Sequence, residues 1–254
     1  MSANRYELKY IIQTKNISKL MESFGKILTP DKNNKNNLGY YNHSIYFDTH
    51  KLRFYRDKQE GLIQRLKPRI RLYRNATDFE VNSLFLEFKQ KNDRSVFKNR
   101  LEIDTQTAME LLAGREQPYV EMVESKNKTK ELFYQLSKKY LLRPKVAVNY
   151  KRFAYVSQLY PKLRVTIDQS LEASLDVSLH AKKSSFVHIL SPRYTLIEFK
   201  YVSQLPKLLL SIIRAHELKN VTFSKYSNAM EVAYETARAT QKYKHNLYIS
   251  SIMG

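Results

Sequence analysis

Charged and apolar residues alternate in many segments of this chain, which is the pattern of a half-buried β-strand. In a strand over residues 69–72, Arg69 and Arg71 lie on one face and Ile70 and Leu72 lie on the other. The same two-residue period recurs in segments 5–10, 87–89, 98–103, 150–152, 164–168 and 198–200. The pattern therefore predicts a sheet of many strands, each with one charged face and one apolar face.

Turn residues bound this alternation and so predict where the strands begin and end. Strands are predicted over residues 5–13, 40–48, 84–90, 97–103, 146–155, 163–168 and 194–201. One more strand becomes regular near Arg69, because Pro68 belongs at a strand start, an edge or a bulge. The run 31–37, rich in asparagine and lysine, predicts an exposed loop. The pattern in residues 51–56 fixes no register.

Amphipathic helices are predicted between and after the strands. The first is capped by Asn16, and its apolar stripe contains Ile17, Leu20, Met21, Phe24, Ile27 and Leu28. Asp104 or Thr105 caps a short helix that Gly114 ends, and a longer helix stops before Pro144. Two helices close the chain, one through residues 205–213 and one from about 227 to 240. Each of these apolar stripes needs a surface to cover.

The alternation leaves open which face of the sheet is buried. If the charges point outward, the apolar faces form one central core and the helices need other surfaces. If the sheet closes around the charges, the helices cover its apolar outer faces, and both halves of the sequence are explained. Packed cations repel one another, so this inverted barrel requires carboxylates, a polyphosphate or a divalent metal ion among them.

The composition favours a polyanionic partner. The chain has 254 residues, with 44 Lys and Arg against 24 Asp and Glu and a net charge of +20. A bound polyanion relieves self-repulsion of this kind, and nucleic acid, a phosphate chain or an anionic membrane surface would each suit the charge. With 43% hydrophobic residues and no linker, residues 1–254 are expected to fold as a single domain.

Several classes of site and location are excluded by what the sequence lacks. The chain has no cysteine, so it uses no disulfide, no catalytic thiolate and no sulfur-ligated zinc. Its six histidines show no metal-ligand spacing. No apolar stretch approaches the length of a signal sequence or a membrane span. A soluble, cytoplasmic protein is therefore expected.

Eight short motifs follow one another along nearly the whole chain, at residues 5–10, 44–49, 69–71, 86–89, 149–152, 163–168, 196–200 and 223–226. Each is weak by itself, but their order resembles that of the VTC domain, the polyphosphate polymerase domain of the triphosphate tunnel metalloenzyme superfamily. The resemblance implies an α+β fold. Its centre would be a closed antiparallel β-barrel, the triphosphate tunnel, with a cationic lumen and amphipathic helices packed outside.

The resemblance also implies a function, namely a metal-dependent polyphosphate polymerase that adds the γ-phosphate of ATP to a growing inorganic polyphosphate chain. It implies catalytic roles for Arg69, Arg71, Lys89, Arg152, Arg164 and Lys225. Substrate binding would fall to Lys9, Lys98, Tyr150, Lys200 and Tyr226. Glu198 would carry the metal ion, Mn²⁺ or Mg²⁺. ATP and polyphosphate are the implied partners, nucleic acid is not expected, and a membrane partner would be a separate protein.

Two departures from the family pattern bear on these expectations. The hydrolytic tunnel enzymes begin with a Glu-x-Glu-x-Lys strand, whereas this chain has Arg5 in place of the first glutamate and keeps Glu7 and Lys9. That difference argues against simple hydrolysis. The regulatory domain and membrane helices of the eukaryotic members are missing here, so a bacterial single-domain member is expected.

Two other functions stay open at this point. A triphosphatase would use the same tunnel with water in place of the attacking phosphate, and Glu7 or Glu87 would be its general base. A non-catalytic module would bind polyphosphate or nucleic acid through the basic faces, with steep salt dependence and no need for metal. The chain carries no recognisable RNA-binding signature, which argues against RNA.

Overall fold

One antiparallel sheet separates the charged faces of the strands from their apolar faces. The computed structural model describes residues 5–77, 81–92, 95–115, 127–160, 162–202 and 204–253, and within them ten strands form this sheet. The strands are β1 (Arg5–Gln13), β2 (Leu28–Pro30), β3 (Tyr40–Asp48), β4 (Gln64–Asn75), β5 (Val81–Asn92), β6 (Ser95–Glu102), β7 (Arg143–Ser157), β8 (Arg164–Ser174), β9 (Val187–His188) and β10 (Tyr194–Val202). Paired neighbours follow the order β1-β10-β8-β7-β3-β4-β5-β6, while β2 pairs with β7 and β9 pairs with β8.

Six α-helices, counted over the same residues, lie beside the sheet. They are α1 (Ile17–Phe24), α2 (Arg53–Gln59), α3 (Thr105–Ala113), α4 (Lys128–Tyr140), α5 (Lys207–Ala215) and α6 (Lys225–Met253). The boundaries of α3 agree with the prediction, because Asp104 accepts a 2.7 Å hydrogen bond from the Thr107 N–H and Gly114 ends the helix at a φ of +70°. None of the described helices is both long enough and apolar enough to span a membrane.

Two apolar clusters on the outer face of the sheet hold most of these helices in place. In the first cluster, Phe54 of α2, Leu111 of α3 and Phe133 of α4 pack with Ile70 and Leu86. The second joins α1 and α5 to β1, β8 and β10 through Leu20, Phe24, Leu209, Ile212, Tyr10, Ile167 and Phe199. Burying one such side chain contributes roughly 1.5–3 kcal/mol, so the helices are fixed to the outside of the sheet.

The inner face of the sheet is apolar at one end and charged at the other. At the apolar end, α6 packs Tyr226 and Met230 against Leu196 and its neighbours on β7 and β8. Glu198 and Lys200 follow Leu196 at two-residue intervals, so they continue the same face of β10. The start of α6 therefore plugs one end of a space whose remaining wall is charged.

The charged faces of the strands point inward and the apolar faces point outward. Of the two orientations that the alternation left open, this is the inverted one. Glu87 is 1% exposed, and Arg71 and Arg152 are each 8% exposed, which excludes a solvated face. Lys89 of β5 lies 3.6 Å from Glu7 of β1, so the two halves of the sheet meet through side chains. In the described strands no ladder joins β1 to β6. The predicted α+β fold is therefore confirmed, whereas the closure of the curled sheet into a β-barrel stays a prediction.

One predicted boundary near the start of the chain is wrong. The first helix ends at Phe24 rather than continuing through Leu28, because Gly25 takes a φ of +52° and leaves the helical conformation. Leu28 instead begins β2. Asn16 stands at the helix start, but its side chain makes no capping hydrogen bond.

Pro68 lies inside β4 rather than at its start. β4 pairs with β5 from Gln64 onward, with Pro68 opposite Phe88, whereas its pairing with β3 ends at Arg69. Pro68 therefore sits where β4 has a partner on one side only, and its missing N–H leaves no bond to β3 unmade. As a consequence, Lys67 shares the inner face of β4 with Arg69.

Other loop and helix predictions also change. Asn34, in the run expected to be an exposed loop, is fully buried, and its side chain bonds to the Ala154 carbonyl at 3.2 Å and to the Gly39 N–H at 2.8 Å. The segment 51–56, whose register the sequence did not fix, leads into α2, which begins at Arg53. The last helix starts earlier and ends later than predicted, from Lys225 to Met253. Its first residue is thereby placed beside the charged wall.

Candidate active site

Four carboxylates lie on the inner face of the curled sheet, each contacted by two or more cations, in the part of the chain that the structure describes. The carboxylates are Glu7, Glu87, Asp168 and Glu198, and the cations are Lys9, Arg69, Arg71, Lys89, Lys98, Arg100, Arg152, Lys200 and Lys225. We call these residues the lumen cluster. Nine cations facing four carboxylates leave an excess of positive charge, and charge interactions are strongest among the buried members of the cluster, where the dielectric is low.

The deepest part of the lumen cluster joins β7, β8, β10 and the start of α6. Arg152 donates two hydrogen bonds of 2.6 Å to Asp168. The Lys225 ammonium lies 2.7 Å from Asp168 and 2.8 Å from Glu198, and Arg152 approaches Glu198 at 3.7 Å. Each of these nearly buried charges therefore has an opposite charge beside it, which is the condition for keeping ions out of water.

Strand β1 extends this network toward solvent. Lys9 lies directly across from Glu198 in the β1–β10 pair, and its ammonium is 3.0 Å from Glu7 and 4.0 Å from Glu198. Lys200 is 2.8 Å from Glu198, and Lys89 is 3.6 Å from Glu7. The Lys89 side chain is 42% exposed, so the network runs from the buried interior to a mouth that opens to water.

On another part of the wall, Glu87 gathers four cations. Its carboxylate lies 2.6 Å from Arg69, 2.9 Å from Lys98, 3.3 Å from Arg100 and 3.7 Å from Arg71. The side chains of Lys98 and Arg100 are 44% and 36% exposed, whereas Glu87 is buried. These cations therefore share a single internal anion, and a ligand with more negative charge could contact several of them at once.

Tyrosine side chains pack between the charged groups. The Tyr46 hydroxyl accepts a 3.0 Å hydrogen bond from Arg69. The ring of Tyr150 lies 5.1 Å from the Arg152 guanidinium and 5.0 Å from the Lys225 ammonium, within reach of cation–π attraction. Tyr46 and Tyr150 therefore give the cations neutral contacts in addition to the carboxylates.

The surrounding cations keep the carboxylates ionised. Burial alone would raise the pKa of Glu198, but the ammonium groups of Lys200 and Lys225 hold that pKa well below its usual range. Burial and the neighbouring Glu198 raise the pKa of Glu7, yet nearby lysines lower it to about 2. Burial likewise favours the neutral form of Glu87, and the arginines beside it hold its pKa far below the ordinary value. All three groups are therefore anionic at neutral pH.

Comparison with protein-family models identifies the chain, because the model of the VTC domain matches residues 4–234. This chain belongs to the VTC domain family. No curated protein matches it significantly.

Solved structures show which fold the VTC domain shares. A Hippeastrum protein, provisionally named an adenylyl cyclase and described as having a dominant triphosphatase activity, matches with a TM-score of 0.51 and 14% identity over 89% of this chain and 95% of the other. A Bacillus halodurans protein, provisionally named an adenylate cyclase, matches with a TM-score of 0.50 and 12% identity over 87% and 95%. Both proteins share the overall fold of this chain. At these identities the likeness establishes the fold alone.

The VTC domain brings together all but two of the site residues that the resemblance singled out. Arg164 is the first exception, because its guanidinium lies 2.6 Å from Asp31 at the rim and its side chain is 42% exposed. Tyr226 is the second, because its hydroxyl donates to Asp48 and its ring stacks on Tyr46 at 5.0 Å in the apolar plug. The remaining residues belong to the lumen cluster or, in the case of Tyr150, pack against it.

Three charged residues with the two-residue period were not among the site residues that the resemblance named. Asp168 and Arg100 lie on the charged faces predicted in segments 164–168 and 98–103, but only Arg164 and Lys98 of those segments were named as site residues. Lys67 precedes Arg69 in the same way, but the strand start predicted near Arg69 excluded it. Its ammonium donates a 2.8 Å hydrogen bond to the Ser224 hydroxyl. Burial, Lys9 and Lys89 hold the pKa of Lys67 well below its usual value.

Glu7 and Glu198 are two carboxylates of the lumen cluster that could hold a divalent metal ion together. They lie on the neighbouring strands β1 and β10, and both contact Lys9. The described residues contain no cluster of three or more acidic or histidine side chains that could form a complete metal cage. Mg²⁺ usually binds one or two carboxylates and takes its other ligands from phosphates and water. This pair therefore fits an ion that binds together with a phosphate substrate.

Tyr73 is expected to ionise near pH 8. Burial opposes ionisation of its hydroxyl, but Arg71, which donates a 3.4 Å hydrogen bond to it, lowers the pKa to about 8. We predict a phenolate absorbance change around pH 8 in the VTC domain that Tyr73→Phe removes. Because this pKa lies below the unfolded value of about 10, the free energy of unfolding should rise as the pH increases from about 8 toward 10.

Tyr40→Phe is the matched control for this titration. Burial raises the pKa of Tyr40 to about 12, so the phenolate change around pH 8 should persist in that variant. Identical absorbance titrations for wild type and Tyr73→Phe would contradict the prediction.

Replacing Asn42 by an apolar residue should stabilise the folded protein, because its amide is buried without a hydrogen bond. It is 1% exposed, it faces the lumen opposite Tyr73 and Tyr150, and neither amide atom has a hydrogen-bond partner among the described residues. An unmade bond of this kind costs about 1–3 kcal/mol. We therefore predict that Asn42→Leu raises the free energy of unfolding of the ligand-free protein by about 1 kcal/mol, measured by urea denaturation.

Asn34→Leu provides the matched control, because Asn34 is equally buried but fully hydrogen-bonded. The same substitution should there lower the free energy of unfolding by about 1–3 kcal/mol. Equal losses in both variants would show that the amide of Asn42 has partners in the folded protein.

Proposed function

We propose that this VTC domain is a polyphosphate polymerase that transfers the γ-phosphate of ATP to the end of an inorganic polyphosphate chain. The observation that carries the proposal is the lumen cluster, in which nine cations face only four carboxylates inside the sheet. Membership of the VTC domain family supports it. The proposal treats the curled sheet as a closed tunnel, and the contact between Lys89 of β5 and Glu7 of β1 supports that closure.

In the proposed reaction, a terminal phosphate oxygen of polyphosphate attacks the γ-phosphorus of ATP. A new P–O bond forms, the bond from that phosphorus to the β–γ bridging oxygen breaks, and ADP leaves with the electron pair. Such transfers need little covalent work from the protein, so positioning and charge stabilisation can supply the catalysis. No protein nucleophile is required.

The cations of the lumen cluster supply this positioning. Arg69 and Arg71 project from one wall and Arg152 and Lys225 from another, so phosphate oxygens between them could be held from both sides. Lys89, near the mouth, would hold the incoming chain.

The other residues named from the resemblance take supporting roles in the proposal. Lys9, Lys98 and Lys200 line the path of the phosphates, and Tyr150 keeps the deep cations in place. Arg164, at the rim with Asp31, would contact phosphates only as they enter or leave.

The carboxylates explain how the free protein tolerates so many inward cations. Glu87 and Asp168 each neutralise cations that phosphate oxygens would otherwise contact. A bound phosphate chain would take over part of that neutralisation, and the cations would then make charge-assisted hydrogen bonds to its oxygens. Polyphosphate suits this exchange because it offers a row of evenly spaced anionic groups.

Glu198 and Glu7 would hold Mn²⁺ or Mg²⁺. When bound, the ion would neutralise developing charge on phosphate oxygens. Glu198 would also keep Lys225 and Lys200 oriented toward the lumen.

A triphosphatase is the second candidate function. The described activity of the Hippeastrum protein, which shares the fold, is the observation that favours it. Hydrolysis needs a base that activates water, and the candidates in this chain are Glu7 and Glu87. The cations that lower the pKa of Glu7 to about 2, and that of Glu87 far below its usual value, make both groups weak bases. The weak basicity of Glu7 and Glu87 supports the polymerase over the triphosphatase.

The deciding experiment incubates the full chain with ATP and Mn²⁺ and measures polyphosphate, free phosphate and ADP separately. We predict ADP and polyphosphate in equal phosphate equivalents, with little free phosphate. Free phosphate without polymer would select the triphosphatase. No turnover would leave a non-catalytic polyanion-binding module.

Glu198→Gln should lower the rate by at least about tenfold, which corresponds to about 1.4 kcal/mol, while the protein stays folded. The change removes a metal-binding charge and releases Lys225 and Lys200 from their partner. Glu22→Gln, on the exposed face of α1, is the matched control and should keep the wild-type rate. Equal rates for Glu198→Gln and wild type at saturating Mn²⁺ would remove Glu198 from the mechanism.

A further inference from the structure

Lys67 differs from the cations of the lumen cluster in the kind of partner that it contacts. Each cation of the cluster lies within 3.7 Å of a carboxylate. The Lys67 ammonium instead donates a 2.8 Å hydrogen bond to the hydroxyl of Ser224, the residue before α6. Among the described residues, no carboxylate comes as close to Lys67 as those of the cluster come to their cations. A neutral hydroxyl satisfies one N–H of the ammonium, but it does not balance the charge.

Two other lysines lie beside Lys67, and we call the three residues Lys9, Lys67 and Lys89 the lysine triad. In the β4–β5 pair, Lys67 lies directly opposite Lys89, so the two side chains share one face at short range. The Lys9 ammonium donates a 2.7 Å hydrogen bond to the carbonyl of Phe223, the neighbour of the residue that Lys67 contacts. Glu7 lies 3.0 Å from Lys9 and 3.6 Å from Lys89, so the triad shares one carboxylate among three amines.

The surroundings of Lys67 oppose its charged form. Burial has the largest effect, and the segment before α6 presents a neutral hydroxyl. The charged groups that act most strongly on Lys67 are all cations, namely Lys9 of β1, Lys89 of β5, Arg65 of β4 and Lys58 of α2. Together these effects hold the pKa of Lys67 well below its usual value. An anion placed within the triad would reverse the balance, because it would favour the ammonium form.

The side chain of Lys67 is half-buried, so part of it stays open to solvent. It shares the inner face of β4 with Arg69, at the two-residue interval of a strand. A phosphate chain held by Arg69 and Lys89 would therefore pass close to the Lys67 amine.

We propose that Lys67 is a phosphate-binding residue of the lumen, and that its amine takes up a proton from solvent when a phosphate chain binds. A phosphate oxygen would supply the anionic partner, and a charge-assisted hydrogen bond would form. Binding and protonation are linked, so each favours the other. This role rests on the phosphate ligand of the proposed function, but it does not depend on the transfer reaction.

The test measures binding of tripolyphosphate to the full chain by calorimetry, without added metal and in buffers of different ionisation enthalpy. The dependence of the heat on the buffer gives the number of protons taken up. For the wild type we expect net uptake, and an affinity that falls as the pH rises from about 7 to about 10, because protonated Lys67 binds the anion more tightly.

Two variants isolate the share of Lys67 in this uptake. Lys67→Arg keeps a charge that does not titrate, so it should keep tight binding, lose that share of the uptake and show a weaker pH dependence. Lys67→Met should lose the same share and bind tripolyphosphate about tenfold more weakly. Lys19→Met, on the exposed face of α1, is the matched control and should keep both the affinity and the uptake of the wild type.

The outcomes separate this role from the proposed function. Wild-type proton uptake in Lys67→Met would contradict the role of Lys67 while leaving a phosphate-binding lumen intact, and it decides the question where Lys67→Arg does not fold. A Lys67 that merely ties β4 to the start of α6 would lower the free energy of unfolding in Lys67→Met without changing the uptake. No binding of tripolyphosphate to the wild type would overturn the lumen ligand itself, and with it the proposed function.

Discussion

Cations that face one another in a space of low dielectric repel, and the fold of this VTC domain depends on the carboxylates that separate them. Asp168 accepts two hydrogen bonds from Arg152 and also lies 2.7 Å from the Lys225 ammonium. Removing one partner of such a buried pair costs about 3–5 kcal/mol, because the other charge is left without compensation. This constraint explains why acidic residues occur on the same strand faces as the arginines and lysines.

The same constraint connects the free protein to its proposed substrate. Glu87 already sits where four cations converge, which shows that this wall can surround an anion. A phosphate chain would extend that arrangement along the lumen, with an oxygen for each cation instead of one carboxylate for several. The plug formed by the start of α6 sets one limit of this space, and the exposed side chains of Lys89 and Lys98 mark its open side. The positive charge of the lumen, the plug at one end and the open side thus all favour a phosphate chain as the ligand.

Much of this arrangement could be predicted from residue spacing, because period-two alternation determines which side chains share a face. Spacing does not determine which face is buried, and the helices that cover the outer face decided that question. Arg164 has the right parity for the lumen, yet it pairs with Asp31 from a distant loop, a contact that no local pattern predicts. The sequence analysis left Lys67 out because it began the strand near Arg69, after Pro68. Pro68 is tolerated inside β4, since at that position β4 pairs with β5 but not with β3. Asn42 carries no sequence signal, since its importance comes from burial alone.

The central claim is that the excess cations line an enclosed lumen, and ligand width tests it most directly. Thermal unfolding of the full chain would be followed with tripolyphosphate, heparin and duplex DNA at low and moderate salt. A ligand that binds only the folded state at a hundredfold excess over its dissociation constant stabilises it by about 2.7 kcal/mol. We predict a large shift with tripolyphosphate, and small shifts with heparin and DNA that fade with salt, since these can reach only outer charges. Equal, equally salt-sensitive shifts from all three would contradict the enclosed lumen.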